Sequence, residues 1–265
     1  MLRGTDQQYL RTDQYKDATK LNVRMALHQK FGTGKIDWHC WVFDQFDLPT
    51  TARILELGCG PGQLWVRNLD RIPNGWQLVL SDYSKGMIDQ AQSNLADSPH
   101  PISYSHFDAQ SIPFSTASFD AVVANHMLYH VPDRRKVYAE AMRVLKAGGI
   151  FYAATNARDY MAEIKELERR IGLSNPFVPE DFFDLEVGKI ELKSIFPQVT
   201  LHKLKDTLAV TEAQPLIDYI LSSIDGGAVT LQAVDSLKKI IEGEIAEKGA
   251  FRVSKSTGLF IAANS

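Results

Sequence analysis

With 265 residues, 45% hydrophobic and 23% charged, the chain can bury the core of one α/β domain with decorated edges, which argues against disorder. A formal net charge of −3 gives no general attraction to a phosphate backbone, so nucleic acid is not an expected partner. Its two cysteines, Cys40 and Cys59, lack C-x-x-C spacing, and no apolar run approaches the roughly 20 residues a membrane helix needs; neither a metal site nor a membrane is expected.

Residues Met1 to Asp6 lack the apolar stretch of a secretory signal, and with so few cysteines a cytoplasmic setting is the expectation. Tyr9, Tyr15 and Lys16 follow in a polar lead-in. Val23, Leu27 and Phe31 then recur as a helical stripe. After the turn at Gly32-Thr33-Gly34, Trp38, Trp41, Val42 and Gln45-Phe46 point to a second helix. Residues 1–50 are read as a helical cap or lid on a domain spanning 51–265. Such a cap can cover a sheet edge or close over a substrate, and an aromatic stripe fits either role.

Four short apolar segments follow in alternation with helical patterns: Arg53 to Leu57, Gln77 to Ser81, Ile102 to Phe107 and Ala121 to Ala124. A fifth, Ile150 to Ala154, comes after a helix and a glycine pair. This alternation predicts a parallel sheet with helices on both faces. Ser84 is placed to cap a helix bearing Met87, Ile88, Ala91 and Leu95. Asp133 is placed to cap one bearing Val137, Ala141, Val144 and Leu145, which Gly148-Gly149 should end. An insertion, mostly helical, is expected over about 159–198. Val199 to Val210 reads as a long strand. Phe251 to Ala263 reads as two strand pieces around Gly258, with helices at Pro215 to Ser222 and Leu231 to Glu247. The last strands are expected at an antiparallel edge.

The most informative segment is Ile54-Leu55-Glu56-Leu57-Gly58-Cys59-Gly60-Pro61-Gly62, a strand running into a glycine-rich turn that opens a helix. Without side chains at Gly58, Gly60 and Gly62, the backbone can turn tightly and bring its amides close to a ligand. A second strand ends at Asp82, about 20 residues beyond Gly62, where a carboxylate can accept hydrogen bonds from ribose hydroxyls. Either a dinucleotide or another adenosine cofactor would suit these features.

From Arg53 to Thr155 the chain resembles the class I S-adenosylmethionine-dependent methyltransferases, particularly their small-molecule branch. The resemblance is carried by Glu56-Leu57-Gly58-Cys59-Gly60-Pro61-Gly62, Ser81-Asp82-Tyr83-Ser84-Lys85-Gly86-Met87, Phe107-Asp108-Ala109-Gln110, Phe119 to His126 and Arg143 to Gly149. It implies a Rossmann-like, mostly parallel seven-stranded sheet with helices on both faces and a helical cap and insertion. It also implies S-adenosylmethionine as cofactor and a small-molecule methyl acceptor. The Glu56–Gly62 loop, Cys59 included, would hold the methionine portion and sugar, and Asp82 the ribose. Tyr83 and Met87 would neighbour the adenine, Asp108 and the Ala109 backbone would meet its edge, Asn125 at the end of the fourth strand would also contact the donor, and Tyr15 would reach the donor from the lid.

A sulfonium donor lacks a pyrophosphate, so carboxylates near the loop are chemically apt. Glu56 is read either in that role or as a strand-end carboxylate satisfied by its neighbours. For Asp82 and Asp108 the alternative is capping of a turn or helix. Methyl transfer itself needs positioning more than a base. Where the acceptor must lose a proton, His126 at the end of the fourth strand is the catalytic candidate, with Tyr129 and His130 nearby. His126 and His130 lack the glutamate of H-E-x-x-H, so no metal is assigned. His28, His39, Trp38 and Trp41, with Phe177, Phe182 and Phe183, are candidates to line the acceptor pocket. The competing readings are an NAD-dependent oxidoreductase, whose longer G-x-G-x-x-G loop is missing here, and a non-catalytic donor-binding protein.

Overall fold

The computed structural model describes residues 19–173, 182–223 and 229–264. The expectations for Tyr9, Tyr15, Lys16 and Phe177 lie outside these residues. Strands β1 (Arg53–Leu57), β2 (Gln77–Asp82), β3 (Ile102–His106), β4 (Phe119–Asn125), β5 (Leu145–Asn156), β6 (Gln198–Val210) and β7 (Phe251–Ala263) form one sheet in the order β3-β2-β1-β4-β5-β7-β6. The first five are parallel, and β7 runs antiparallel between β5 and β6. Strand order reverses between β1 and β4, which opens a crevice at their carboxyl ends, the usual ligand position in such a sheet.

Around the sheet lie α1 (Thr19–Phe31), α2 (Trp38–Phe43), α3 (Gln63–Val66), α4 (Lys85–Asn94), α5 (Arg134–Val144), α6 (Ala162–Arg170), α7 (Leu185–Lys193), α8 (Ala213–Ser223) and α9 (Leu231–Lys248). Side chains alternate between the faces of a strand. Ile54, Leu80, Val123 and Tyr152 meet Phe43 and Trp65 on one face, with Ile88 and Ala91 of α4. Leu55, Leu57, Val122 and Phe151 meet Val137, Ala141 and Val144 of α5 and Leu192 of α7 on the other. A third core joins Leu27 and Phe31 of α1 to α6, α8, α9 and the ends of β6 and β7.

The caps read from the sequence form. Ser84 Oγ accepts from the Met87 amide at 3.3 Å, and Asp133 Oδ1 from the Lys136 amide at 3.4 Å. Three expectations need correction. Helix α5 ends at Val144, because Leu145 already pairs with Phe119; the Gly148 amide donates to Asn264 O, so the glycine pair lies inside β5. Strand β7 continues unbroken through Gly258, where a Cβ would meet Leu185 Cδ2 at 2.8 Å and Leu201 Cδ1 at 2.9 Å. The glycine there admits close packing and does not end a strand. Helix α2 stops at Phe43, leaving Gln45 and Phe46 beyond it.

The segment between β5 and β6 is fastened to the sheet by buried polar groups. Thr155 Oγ1 donates to Phe183 O at 2.8 Å. Asp184, fully buried, accepts from the Glu186 and Val187 amides at the start of α7 and from Arg158 Nε at 2.6 Å.

Candidate active site

The loop after β1 takes its shape from three glycines in the left-handed region: Gly58 at φ 62°, Gly60 at φ 53° and Gly62 at φ 76°. At Gly58 a Cβ would lie 2.7 Å from Met127 Cβ, so the loop can pass beside the segment after β4 only without a side chain there. Cys59 fixes the next turn through its amide, which donates to Ser81 O at 2.9 Å. Its thiol is buried, and burial pushes its pKa well up, so the group remains a neutral thiol.

Asp82 joins this loop to the end of β2. Its Oδ2 accepts from the Gly60 amide at 2.9 Å and its Oδ1 from the Ser84 amide at 2.8 Å. Burial raises its pKa despite those bonds. The turn-capping alternative and the position beside the glycine loop thus hold together in one residue. Glu56 is buried under the loop, and its Oε2 accepts from Trp65 Nε1 at 2.7 Å. Burial pushes the Glu56 carboxyl up to about 8; the indole bond pulls the other way and the Asp82 charge adds to the rise. Trp65 is the partner that sequence reasoning missed. Its only signal is an aromatic residue one turn into the helix after the loop.

The other expected donor contacts gather at the carboxyl ends of neighbouring strands. Tyr83 follows Asp82 and is half-buried, its carbonyl accepting from His106 Nε2 at 3.0 Å. Met87 is buried on the sheet-facing side of α4. Asp108 Oδ1 accepts from the Gln110 amide at 2.9 Å, and Ala109 beside it is buried.

At the end of β4, Asn125, expected to contact the donor, accepts through Oδ1 from Trp38 Nε1 at 3.3 Å. His126 has φ 56°, a left-handed conformation uncommon for histidine, and its amide donates to Ala154 O at 3.2 Å. The Trp38 ring lies 5.0 Å from the His126 ring and stacks on Trp41 at 5.2 Å. Burial pushes the His126 pKa down to about 3, and His39, His28 and Lys255 act in the same direction. The side chain is therefore a neutral imidazole of low basicity. Tyr129 packs against His130 at 4.5 Å and stacks on Phe182 at 6.0 Å, whereas Phe183 belongs to the core. Asn156, Tyr160 and Tyr219 also border this region and were not singled out from the sequence. Asn156 carries the one usable signal, a polar residue ending a parallel strand as Asn125 does.

Residues 55–153 match the methyltransferase domain family. A demethylmenaquinone methyltransferase of Desulfitobacterium hafniense is 27% identical over 165 residues, which are 62% of this chain and 65% of that protein. A ubiquinone/menaquinone biosynthesis C-methyltransferase of Desulfotalea psychrophila is 30% identical over 42% of this chain and 44% of its own length. The matched stretch covers between 38% and 65% of the first curated relatives. Among solved structures, a Haemonchus contortus phosphoethanolamine N-methyltransferase 2 in complex with S-adenosyl-L-methionine superposes with a TM-score of 0.55 at 18% identity. That likeness covers 97% of this chain and 59% of its own, and it concerns the fold.

Proposed function

We propose that this chain, whose residues 55–153 form a class I methyltransferase domain, transfers the methyl group of S-adenosylmethionine to a small-molecule acceptor. The observation that carries the reading is the Gly58–Gly62 loop, in left-handed conformation, bonded through the Gly60 amide to Asp82 and lying over buried Glu56. These residues fit the donor: the side-chain-free loop admits close approach, and the two carboxyl groups suit a cation. The longer G-x-G-x-x-G loop of a dinucleotide site is missing from this segment, which counts against the NAD reading.

When bound, S-adenosylmethionine supplies a methyl group made electrophilic by its sulfonium. The chain supplies position. In this reading the loop from Glu56 through Cys59 to Gly62 holds the methionine and sugar, and Asp82 receives ribose hydroxyls. Tyr83, Met87, Asp108 and Ala109 bound the adenine, and Asn125 and Tyr15 are assigned to the donor as well. His126, neutral and weakly basic, acts as a hydrogen-bonding group for the acceptor more than as a reservoir for its proton.

The nucleophile in the narrower form of the proposal is an oxygen or nitrogen atom. An activated carbon is the second reading, favoured by the C-methyltransferase among the relatives. Incubation with trideuteromethyl-labelled donor and a panel of hydroxy, amino and hydroxyquinone compounds, followed by mass spectrometry, tests both. A labelled product is expected, and fragmentation assigns the atom. Donor binding without product from any acceptor would favour the non-catalytic reading.

A further inference from the structure

Beyond the donor loop, one face of the sheet carries a second polar cluster. Asn125 pairs with Ala154, so Asn156 lies on the same face one step further along β5. Through Thr257 that face continues to Lys255 on β7 and its partner Asp206 on β6. Lys255 and Asp206 form an ion pair of 2.8 Å.

Helix α1 is anchored over this end. Gly32 bridges to Leu208, the Thr33 amide donates to Thr207 O at 2.9 Å, and a Cβ on Gly34 would meet Asp206 Oδ1 at 2.7 Å. His28 lies one turn before Gly32, edge-on to Tyr219 of α8 at 5.8 Å. Asn156 lies two residues beyond Ala154, whose carbonyl accepts from the His126 amide at 3.2 Å, so this cluster adjoins the His126 end of the candidate site.

His28 Nδ1 and Asn156 Oδ1 are buried, and neither has a hydrogen-bond partner among the described residues. A buried polar atom without a partner is destabilising, so one on α1 and one at the end of β5 call for a function. We propose, building on the methyltransferase reading, that His28 and Asn156 recognise the methyl acceptor. Asn156 Oδ1 accepts a hydrogen bond from an acceptor hydroxyl or N–H, and His28 Nδ1 hydrogen-bonds a second polar group.

The surroundings select the class of molecule. Lys255 and Asp206 neutralise one another, and burial, with the Lys255 and Arg24 charges acting against Asp206, pushes the His28 pKa down to about 4, so neither the ion pair nor the imidazole adds net charge near neutral pH. Trp38, Tyr129, Tyr160 and Tyr219 border it with aromatic surface. An uncharged ring compound carrying hydroxyl groups fits both features.

The test uses the full chain with trideuteromethyl-labelled S-adenosylmethionine. Catechol and 2,3-dihydroxynaphthalene serve as neutral probes, and 4-hydroxybenzoate and phosphoethanolamine as charged ones. Neutral probes should be methylated in preference. His28→Phe and Asn156→Leu should each raise KM for a neutral probe at least about tenfold, the loss of one hydrogen bond to a buried group. Both should leave S-adenosylmethionine affinity unchanged by calorimetry. Removing an unpaired buried atom should hold or raise Tm, whereas an atom serving the fold would lower it. Asn156→Asp, which keeps an oxygen acceptor, should retain more activity than Asn156→Leu. Unchanged KM in both variants, a fall in Tm accompanying the loss, or methylation confined to the charged probes or absent from all four would overturn the proposal. Failure of the wild-type chain to bind the donor would instead refute the methyltransferase reading beneath it.

Discussion

Glu56 shows how one side chain can be plain in the sequence while its state is not. Its place before the glycine loop follows from the motif, but its protonation depends on Trp65 closing over it and on the burial that this creates. Its pKa of about 8 in the folded chain stands above the ordinary 4.5, so its favourable contribution to stability is complete below about 4.5 and is lost as pH rises through 8. A sulfonium cation nearby lowers that pKa, so donor binding releases a proton at pH below 8. Affinity for S-adenosylmethionine should then climb between about pH 6.5 and 8, by at most about tenfold per unit, and flatten above. Glu56→Gln should lose this component of the slope, while titration of the donor's own amino group remains common to both proteins. Calorimetry across that range in buffers of different ionisation enthalpy provides the check. Parallel profiles for the two proteins would place Glu56 outside donor binding. The neutrality of His126 was equally hidden, because it arises first from burial in the fold and then from His39, His28 and Lys255, all distant in sequence.

At the scale of elements, the loop after β1 depends on its fit against the segment after β4. Gly58→Ala adds a methyl at a positive φ, which costs about 1–2 kcal/mol, and drives it to 2.7 Å from Met127 Cβ. Tm should fall by several degrees and donor affinity by more than about tenfold. Trimming the neighbour with Met127→Ala cannot remove the contact at Cβ, but it frees the chain to shift. The double variant should be less impaired than the two single effects combined, a coupling of about 0.5–3 kcal/mol readable by chemical denaturation. Strict additivity would show that loop and segment do not share this contact. Elements governed by local chemistry were legible: the Ser84 and Asp133 caps, the five parallel strands and the stripe of α1. Elements governed by distant partners were not. Gly148-Gly149 looks like a helix stop until Leu145 is seen to pair with Phe119, and Gly258 looks like a break until Leu185 and Leu201 are seen against it.

Across the whole molecule, the parallel half of the sheet supplies the crevice proposed for the donor, and the antiparallel β7 and β6 carry the surface on which α1, α8 and α9 are packed. The donor half was readable because its residues sit at fixed offsets from strand ends. Of the other half only His28 was singled out; Asn156, Tyr160 and Tyr219 were not, because Tyr160 and Tyr219 meet only where they pack on the third core and Asn156 is a lone polar residue at a strand end. Among the described residues no helix is long and apolar enough to cross a membrane. The central claim is that the crevice beneath the glycine loop is a site for S-adenosylmethionine. Its most direct test is calorimetric titration of the chain with S-adenosylmethionine, with NAD as the control and Asp82→Ala as the comparison protein. Saturable binding of S-adenosylmethionine alone, weakened about 10- to 100-fold in a folded Asp82→Ala, is the predicted result. Binding of NAD in its place, or an affinity indifferent to Asp82, would contradict the account.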